Sequence, residues 1–405
     1  MPESTNNHVC IVGAGPAGVI LALLLVRKGV PVTLLEAQAD FDRDFRGDTL
    51  HASSLEILEQ IGLVEPVLKL CHAKADRFRL TSGGESITMA DFSDLHSAYP
   101  YIALIPQERF LTFLAEEAKK YPQFHLIMQA KFHDLIVKDA QVCGVRYVKD
   151  GHESEIRACL VIGADGRGSR VREKADIKLG KSSPPMDVIW FKLPRPDHLG
   201  TQNKTGGVFG KGTMLAMLDR GNEMQIGYVI VKGSYKALRE AGIPALQDEI
   251  KKLAPELEPS LPALKDWSQC AILSVVTGRV ERWYKPGLLL IGDAAHVMSP
   301  VGGVGINYAI QDAVAAANVL TMPLLQQGVT EMDLAEVQYR RERPVRFIQS
   351  VQSIIQKRII AGALKGDKPF RPPLPVRIMT RFKFFRRIMA RTMAYGLDPQ
   401  RIENI

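Results

Sequence analysis

Gly13, Gly15 and Gly18 stand in a Gly-x-Gly-x-x-Gly spacing, and an acid, Glu36, follows one short strand later. Glycines so spaced suit the binding of a diphosphate. Gly13 permits a tight turn, Gly15 lets a pyrophosphate approach the backbone where a Cβ would collide, and Gly18 lets a helix pack close to a strand. Pro16 and Ala17, between them, open that helix, whose free N–H groups face the anion. The Glu36 carboxylate, with Ala37 beside it, is placed to accept hydrogen bonds from ribose hydroxyls. It would repel a 2′-phosphate, so the nucleotide read here is FAD or NAD(H), not NADPH.

The elements that must position these residues are legible around them. Val9 to Val12 reads as a short buried strand, Val19 to Val26 as the following helix, and Val32 to Leu35 as the strand that ends at the acid. The motif alone is weak; strand, turn, helix, strand and acid in order make a βαβ unit. A second stretch chooses between dinucleotides. Leu288 to Ile291 is a buried strand ending in Gly292-Asp293-Ala294-Ala295-His296, followed by Ser299-Pro300-Val301-Gly302-Gly303-Val304-Gly305-Ile306-Asn307 and a helix through Ala309, Ala313, Ala316 and Leu320. Glycines before a helix expose its first N–H groups, and the helix dipole adds about half a positive charge there. A reduced flavin is anionic at its N1/C2-oxygen edge, so its ring is expected at this end, with Asp293 on the ribityl hydroxyls.

A third stretch lies between the two, Gly163-Ala164-Asp165-Gly166 with Ser169-Arg170-Val171-Arg172. With all three in order, residues 8 to about 345 resemble the class A flavin-dependent monooxygenases, the family of p-hydroxybenzoate hydroxylase. The resemblance implies FAD as cofactor and NAD(P)H as a transient cosubstrate without a domain of its own. It also implies that Arg46 and Gln107 contact FAD, that Asp165 supports both the FAD and nicotinamide sites, and that Pro300 lines the flavin face. Gly303, Val304, Gly305, Ile306 and Asn307 belong to the same cofactor-binding set. Arg167, Arg170 and Arg172 are candidates for the nicotinamide phosphates, with plain surface charge the competing reading. The implied activity is formation of a flavin C4a-hydroperoxide that hydroxylates or epoxidises an aromatic or polyketide-like molecule in a dry pocket. Three alternatives stay open: a halogenase, whose paired tryptophans are missing here; another FAD oxidoreductase; and an FAD-bound, non-redox scaffold. His51 and His296 lie near the expected flavin, but holding a loop is the preferred role for both, so no acid or base is assigned.

The chain has 405 residues, 46% hydrophobic and 24% charged, the make-up of an ordinary globular protein. Five scattered cysteines show no metal spacing, which points to reduced thiols in a cytoplasmic protein and no metal site. No stretch approaches the ~20 apolar residues of a membrane span. The net charge of +8 is concentrated in the tail: Arg340 to Ile405 holds sixteen Lys/Arg against four Asp/Glu, a balance of +12, leaving about −4 for the rest. Nucleic acid is not needed to explain it.

The expected fold class is α/β with α+β character, a Rossmann-like FAD-binding domain carrying an inserted antiparallel-sheet substrate domain and C-terminal helices. Residues 1–74, 104–184 and 280–345 are assigned to the FAD domain, 75–103 and 185–279 to the sheet domain, and 346–405 to a basic helical tail. A hairpin around Ser82-Gly83-Gly84 and strands at Asp187 to Leu193, Met214 to Leu218, Met224 to Val231 and Ala271 to Arg279 supply the sheet. Trp190, Phe191, Met214, Met217, Met224 and Tyr228 could wall a hydrophobic substrate, two or three of them facing it and the others forming core. Pro369 to Pro375 reads as a connector to a last amphipathic helix containing Ile378, Phe382, Phe385, Ile388 and Met389. That helix packs on its own FAD domain, makes a dimer contact or docks peripherally on a membrane; the protein is expected to be a monomer or homodimer.

Overall fold

The computed structural model describes residues 7–42, 49–71, 73–200, 203–326, 328–365, 370 and 374–403. Two large sheets organise it. The first has six strands in the order Tyr284–Lys285, Leu288–Leu290, Leu160–Gly163, Val9–Val12, Val32–Leu35 and Phe124–Ile127, parallel throughout except at the Tyr284 edge. Its inner strands are buried on both sides, as parallel strands covered by helices must be, and accordingly read as unbroken apolar runs. Helix Pro16–Arg27 packs between helices Gly305–Leu325 and Gln107–Lys119. From Ala17 to Val26 it is buried, so it shows no polar face.

The second sheet has seven strands: Ala271–Ser274, Met186–Pro194, Glu223–Val231, Met214–Asp219, Gly206–Phe209, Arg77–Ser82 and Glu85–Asp91. All neighbours are antiparallel except Gly206–Phe209 against Arg77–Ser82, the junction where the two separated stretches of chain meet. Strand alternation sends its side chains to two cores. On one face Phe191, Met217, Met224 and Tyr228 pack under helix Tyr235–Leu253. On the other, Trp190 and Met214 share a core with Val301, Ile355, Ile360 and Leu364. Only Trp190 and Met214 of the six wall candidates therefore lie on the face that also meets the loop after His296.

Three segments differ from the sequence reading. Ala271 to Arg279 is two strands, since Thr277–Val280 leaves the large sheet to pair with Leu179–Ser182 and His296–Val297. Gly206–Phe209 is a further strand to which the sequence reading assigned no element; a Cβ on Gly206 would overlap the Arg79 carbonyl, so only glycine allows this pairing. The last amphipathic helix is two, Leu374–Met379 and Lys383–Tyr395, broken at Thr380 to Phe382. Most of the proline-rich connector lies outside the described residues. Helix Glu331–Ile355 crosses position 345 without a break and continues through a π-helical turn, Gln356–Ile360. Lys383–Tyr395 folds back on strand Glu85–Asp91 and helix Ala52–Gln60. No described helix is long and apolar enough to cross a membrane.

Candidate functional site

Ligands of open parallel sheets lie beyond the carboxyl ends of the strands, and there the three glycine stretches meet. Gly13 follows Val9–Val12 and donates its N–H to the Leu35 carbonyl at 2.8 Å, while the Ala164 N–H bonds the Val12 carbonyl at 2.8 Å. A Cβ on Gly13 would stand 2.5 Å from the Ala164 carbonyl oxygen, and one on Gly18 would overlap the Gly13 carbonyl. A Cβ on Gly292 would meet the Ala17 methyl at 3.3 Å. Arg167 Nε donates to Asp293 at 3.1 Å, and Arg172 Nη1 to the Ala294 carbonyl at 2.8 Å. The first turn thus touches both of the others, and the second is bonded to the third.

Gly15 is different. It caps helix Pro16–Arg27 with an extended backbone (φ −75°) that any residue adopts, and a Cβ there would find nothing within 4 Å. The protein's own packing gives no reason for a glycine at this position. A group approaching the uncapped helix end does. Glu36 closes the neighbouring strand; its carboxylate is buried and accepts hydrogen bonds from the Ala14 N–H and the Gln38 N–H, each at 3.0 Å. Ala37, next to it, is exposed, while Pro16 is half-buried at the first helical position.

The loop Ser299 to Val304 leads into helix Gly305–Leu325, whose first N–H groups have no intrahelical acceptor and no side-chain cap. Pro300, Gly303 and Gly305 are half-buried around that end, and Val304 and Ile306 are buried. Gly303 has φ 62°, and a Cβ would stand 2.7 Å from Thr49 Oγ1, which donates to the Gly303 carbonyl at 2.8 Å. The Asn307 side chain is consumed by the protein: Nδ2 donates to the Thr49 carbonyl at 3.0 Å, and Oδ1 accepts from the His51 N–H at 2.9 Å and Ser54 Oγ at 2.7 Å. Arg46 lies outside the described residues. Gln107 is half-buried at the start of helix Gln107–Lys119.

Asp165 caps helix Arg170–Lys174, accepting from Ser169 Oγ and from the N–H groups of Arg170 (2.7 Å) and Val171 (3.0 Å). Burial pushes its carboxyl up from the ordinary value, against those hydrogen bonds. Arg172 is buried and spent on two carbonyls, so of the three cations proposed for nicotinamide phosphates only Arg167 and Arg170 are exposed.

Open space at Gly15, the contacts that join the three glycine-bearing turns and the uncapped end of helix Gly305–Leu325 bring together groups suited to an anionic dinucleotide. The FAD binding domain family matches residues 6–351. Over 407 aligned residues, 99% of this chain and 95% of the other, the sequence is 33% identical to 6-methylpretetramide 4-monooxygenase of Streptomyces rimosus. The chain belongs to the class A FAD-dependent monooxygenases. Pentachlorophenol 4-monooxygenase of Sphingobium chlorophenolicum is 25% identical, over 90% of this monooxygenase and 67% of its own length. The crystal structure of p-nitrophenol 4-monooxygenase from Pseudomonas putida shares the fold with a TM-score of 0.79 at 21% identity, covering 97% of this chain and 98% of that one.

Behind the glycine-bearing turns of the monooxygenase lies a buried polar network that sequence reasoning missed. Asp312, on helix Gly305–Leu325, accepts from the Gly292 N–H at 2.9 Å, from His296 Nε2 at 2.6 Å and from Arg341 Nε at 2.8 Å. All three side chains are removed from solvent. Burial alone would raise the Asp312 carboxyl; the charges and hydrogen bonds of His296 and Arg341 outweigh it and hold it below the ordinary value. His296 is therefore a structural partner that fixes the Gly292 turn. His51 is fully buried; its Nδ1 donates to the Met393 carbonyl at 2.6 Å, and burial pushes its pKa down to about 4.

A second missed group braces the loop at Pro300. Gln352 Nε2 donates to the carbonyls of Ser299 (3.0 Å) and Val301 (2.9 Å), Gln356 Nε2 to Ser299 Oγ (2.6 Å) and Gln349 Nε2 to the Val297 carbonyl (3.2 Å). Glutamines at 349, 352 and 356 follow helical spacing, a signal that was available in the sequence.

Proposed function

We propose that this monooxygenase holds FAD across the carboxyl edge of its six-stranded sheet and uses NAD(P)H and O₂ to hydroxylate a fused-ring, aromatic or polyketide-like molecule. The observation that carries the substrate class is the 33% identity, end to end, with an enzyme named for 6-methylpretetramide. Bound FAD supplies the activation of oxygen. The protein's part is placement. The N–H groups of Gly15 and Ala17 would take the pyrophosphate, Glu36 the adenosine ribose and Asp293 the ribityl chain. Gln107, Pro300 and the N–H groups at Val304 to Asn307 would surround the ring, and the positive end of helix Gly305–Leu325 would favour charge at its electron-rich edge.

Trp190 and Met214 stand on the sheet face shared with Val301, where they would flank the substrate and exclude water. The Trp190 ring lies over Gly227, whose Cβ would stand 2.9 Å from it, so the strand pairing itself makes room for the indole. His51, buried and bonded to a carbonyl, is assigned no acid–base step. The test is consumption of NAD(P)H and O₂ by the holoenzyme with and without a polycyclic phenol. Consumption stimulated by the phenol, with one oxygen atom added to it, is expected. Consumption that yields only H₂O₂ would contradict the proposal.

A further inference from the structure

The two C-terminal helices leave an amphipathic surface on the outside of the molecule. From Leu374 to Leu397 the chain carries six Lys/Arg and no Asp or Glu. Helix Lys383–Tyr395 is fixed from one side only: Ala390 and Ala394 are buried, Tyr395 Oη donates to Glu56, and the Met393 carbonyl receives His51. Its opposite stripe, Phe384, Arg387, Ile388 and Arg391, follows i, i+3, i+4, i+7 spacing and is exposed. Phe384 is 75% exposed, Phe382 63% and Leu374 65%, with Ile378, Met379 and Ile388 all above 40%. Large apolar side chains so exposed are a cost to an isolated protein. Arg377 pairs with Glu85 at 3.1 Å, but Arg381, Lys383, Arg387 and Arg391 form no ion pair with another described residue.

We infer that this surface docks the enzyme on an anionic lipid bilayer, with Phe382, Phe384 and Ile388 entering the headgroup boundary and the four unpaired cations meeting lipid phosphates. Charge and apolarity interleaved on one helix face match that partner on both counts. A second copy of the chain matches on only one, because a twofold contact would set these cations against themselves. Nucleic acid would satisfy the cations and leave the phenyl rings without a role.

The test is flotation of the full-length holoenzyme with vesicles of phosphatidylcholine alone or mixed with about one-third phosphatidylglycerol, at low and high salt. Two variants accompany it, F382S/F384S/I388S and R381Q/K383Q/R387Q/R391Q. Flavin content and thermal transition report whether each is folded. The wild type is expected to float with the anionic vesicles, less so at high salt, and each variant to bind at least about tenfold more weakly while keeping its flavin. No flotation of the wild type overturns the inference. So does undiminished binding by the apolar variant, the mark of simple polycation binding. Gel filtration showing a wild-type dimer that either variant dissolves, or duplex DNA bound equally by wild type and apolar variant, also overturns it. A variant that fails to fold is replaced by the single changes F384S and R387Q, read in the same assay.

Discussion

A methyl group on Gly13 would stand 2.5 Å from the carbonyl oxygen of Ala164. Residues far apart in the chain are therefore in backbone contact where the first two glycine-bearing turns meet. The Gly13 backbone is also left-handed, at φ 102°.

G13A is expected to damage fold and cofactor site together. Both the clash with Ala164 and the backbone conformation oppose a side chain, for a loss of about 3 kcal/mol or more. Urea unfolding of the apoprotein checks it, and a midpoint unchanged from wild type would show that the two turns do not press on each other.

G15V separates the two roles. Its Cβ meets no protein atom and its backbone conformation is unstrained, so apoprotein stability should change by less than about 0.5 kcal/mol. FAD affinity should fall at least tenfold, about 1.4 kcal/mol or more, because the side chain fills the space in front of the helix end. Fluorescence titration of apoprotein with FAD measures this; equal affinity would place the pyrophosphate elsewhere.

Asp312 joins His296, Arg341 and the Gly292 N–H in a site without solvent. D312A leaves the buried Arg341 guanidinium uncompensated and takes the acceptor from His296 and the Gly292 N–H, and is expected to cost about 3–5 kcal/mol. D312N, which keeps the shape and one acceptor, should cost less. Denaturant titration orders them, and a D312A protein as stable as wild type would contradict a structural role for the network.

His51 makes stability depend on pH. Burial pushes its folded pKa to about 4 from the ordinary 6.5, so the unfolded chain binds its proton first as the medium is acidified. The contribution of His51 is complete above pH ~6.5 and is lost as pH falls toward ~4, on the order of 3 kcal/mol in all. H51N should flatten the decline of the unfolding midpoint across that window. His8, also shifted down by burial, leaves a residual slope of the same sign. An identical slope in wild type and H51N would contradict this assignment.

The elements legible in the sequence are those whose reasons are local. Val9 to Val12 and Leu288 to Leu290 are apolar because both faces are covered, and the turns that follow them are announced by glycines with nearby causes. What escaped the reading depends on distant partners. Gly206 belongs to a strand because of Arg79, more than a hundred residues earlier, and Ala271 to Arg279 divides because its halves join different sheets. Asp312 looks like one polar residue in an alanine-rich helix until Arg341 arrives from the next helix. The Asn307 side chain is held by Thr49, His51 and Ser54, contacts that only the folded chain reveals.

The central claim is that three glycine-bearing turns hold a single flavin dinucleotide at the carboxyl edge of one sheet. Titration of purified apoprotein with FAD, followed by quenching of flavin fluorescence and by visible absorbance of the desalted complex, tests it most directly. One FAD per chain, competed by ADP-ribose, is the predicted result. A protein that stays colourless with excess FAD, or one whose bound flavin is indifferent to G15V, would contradict the account.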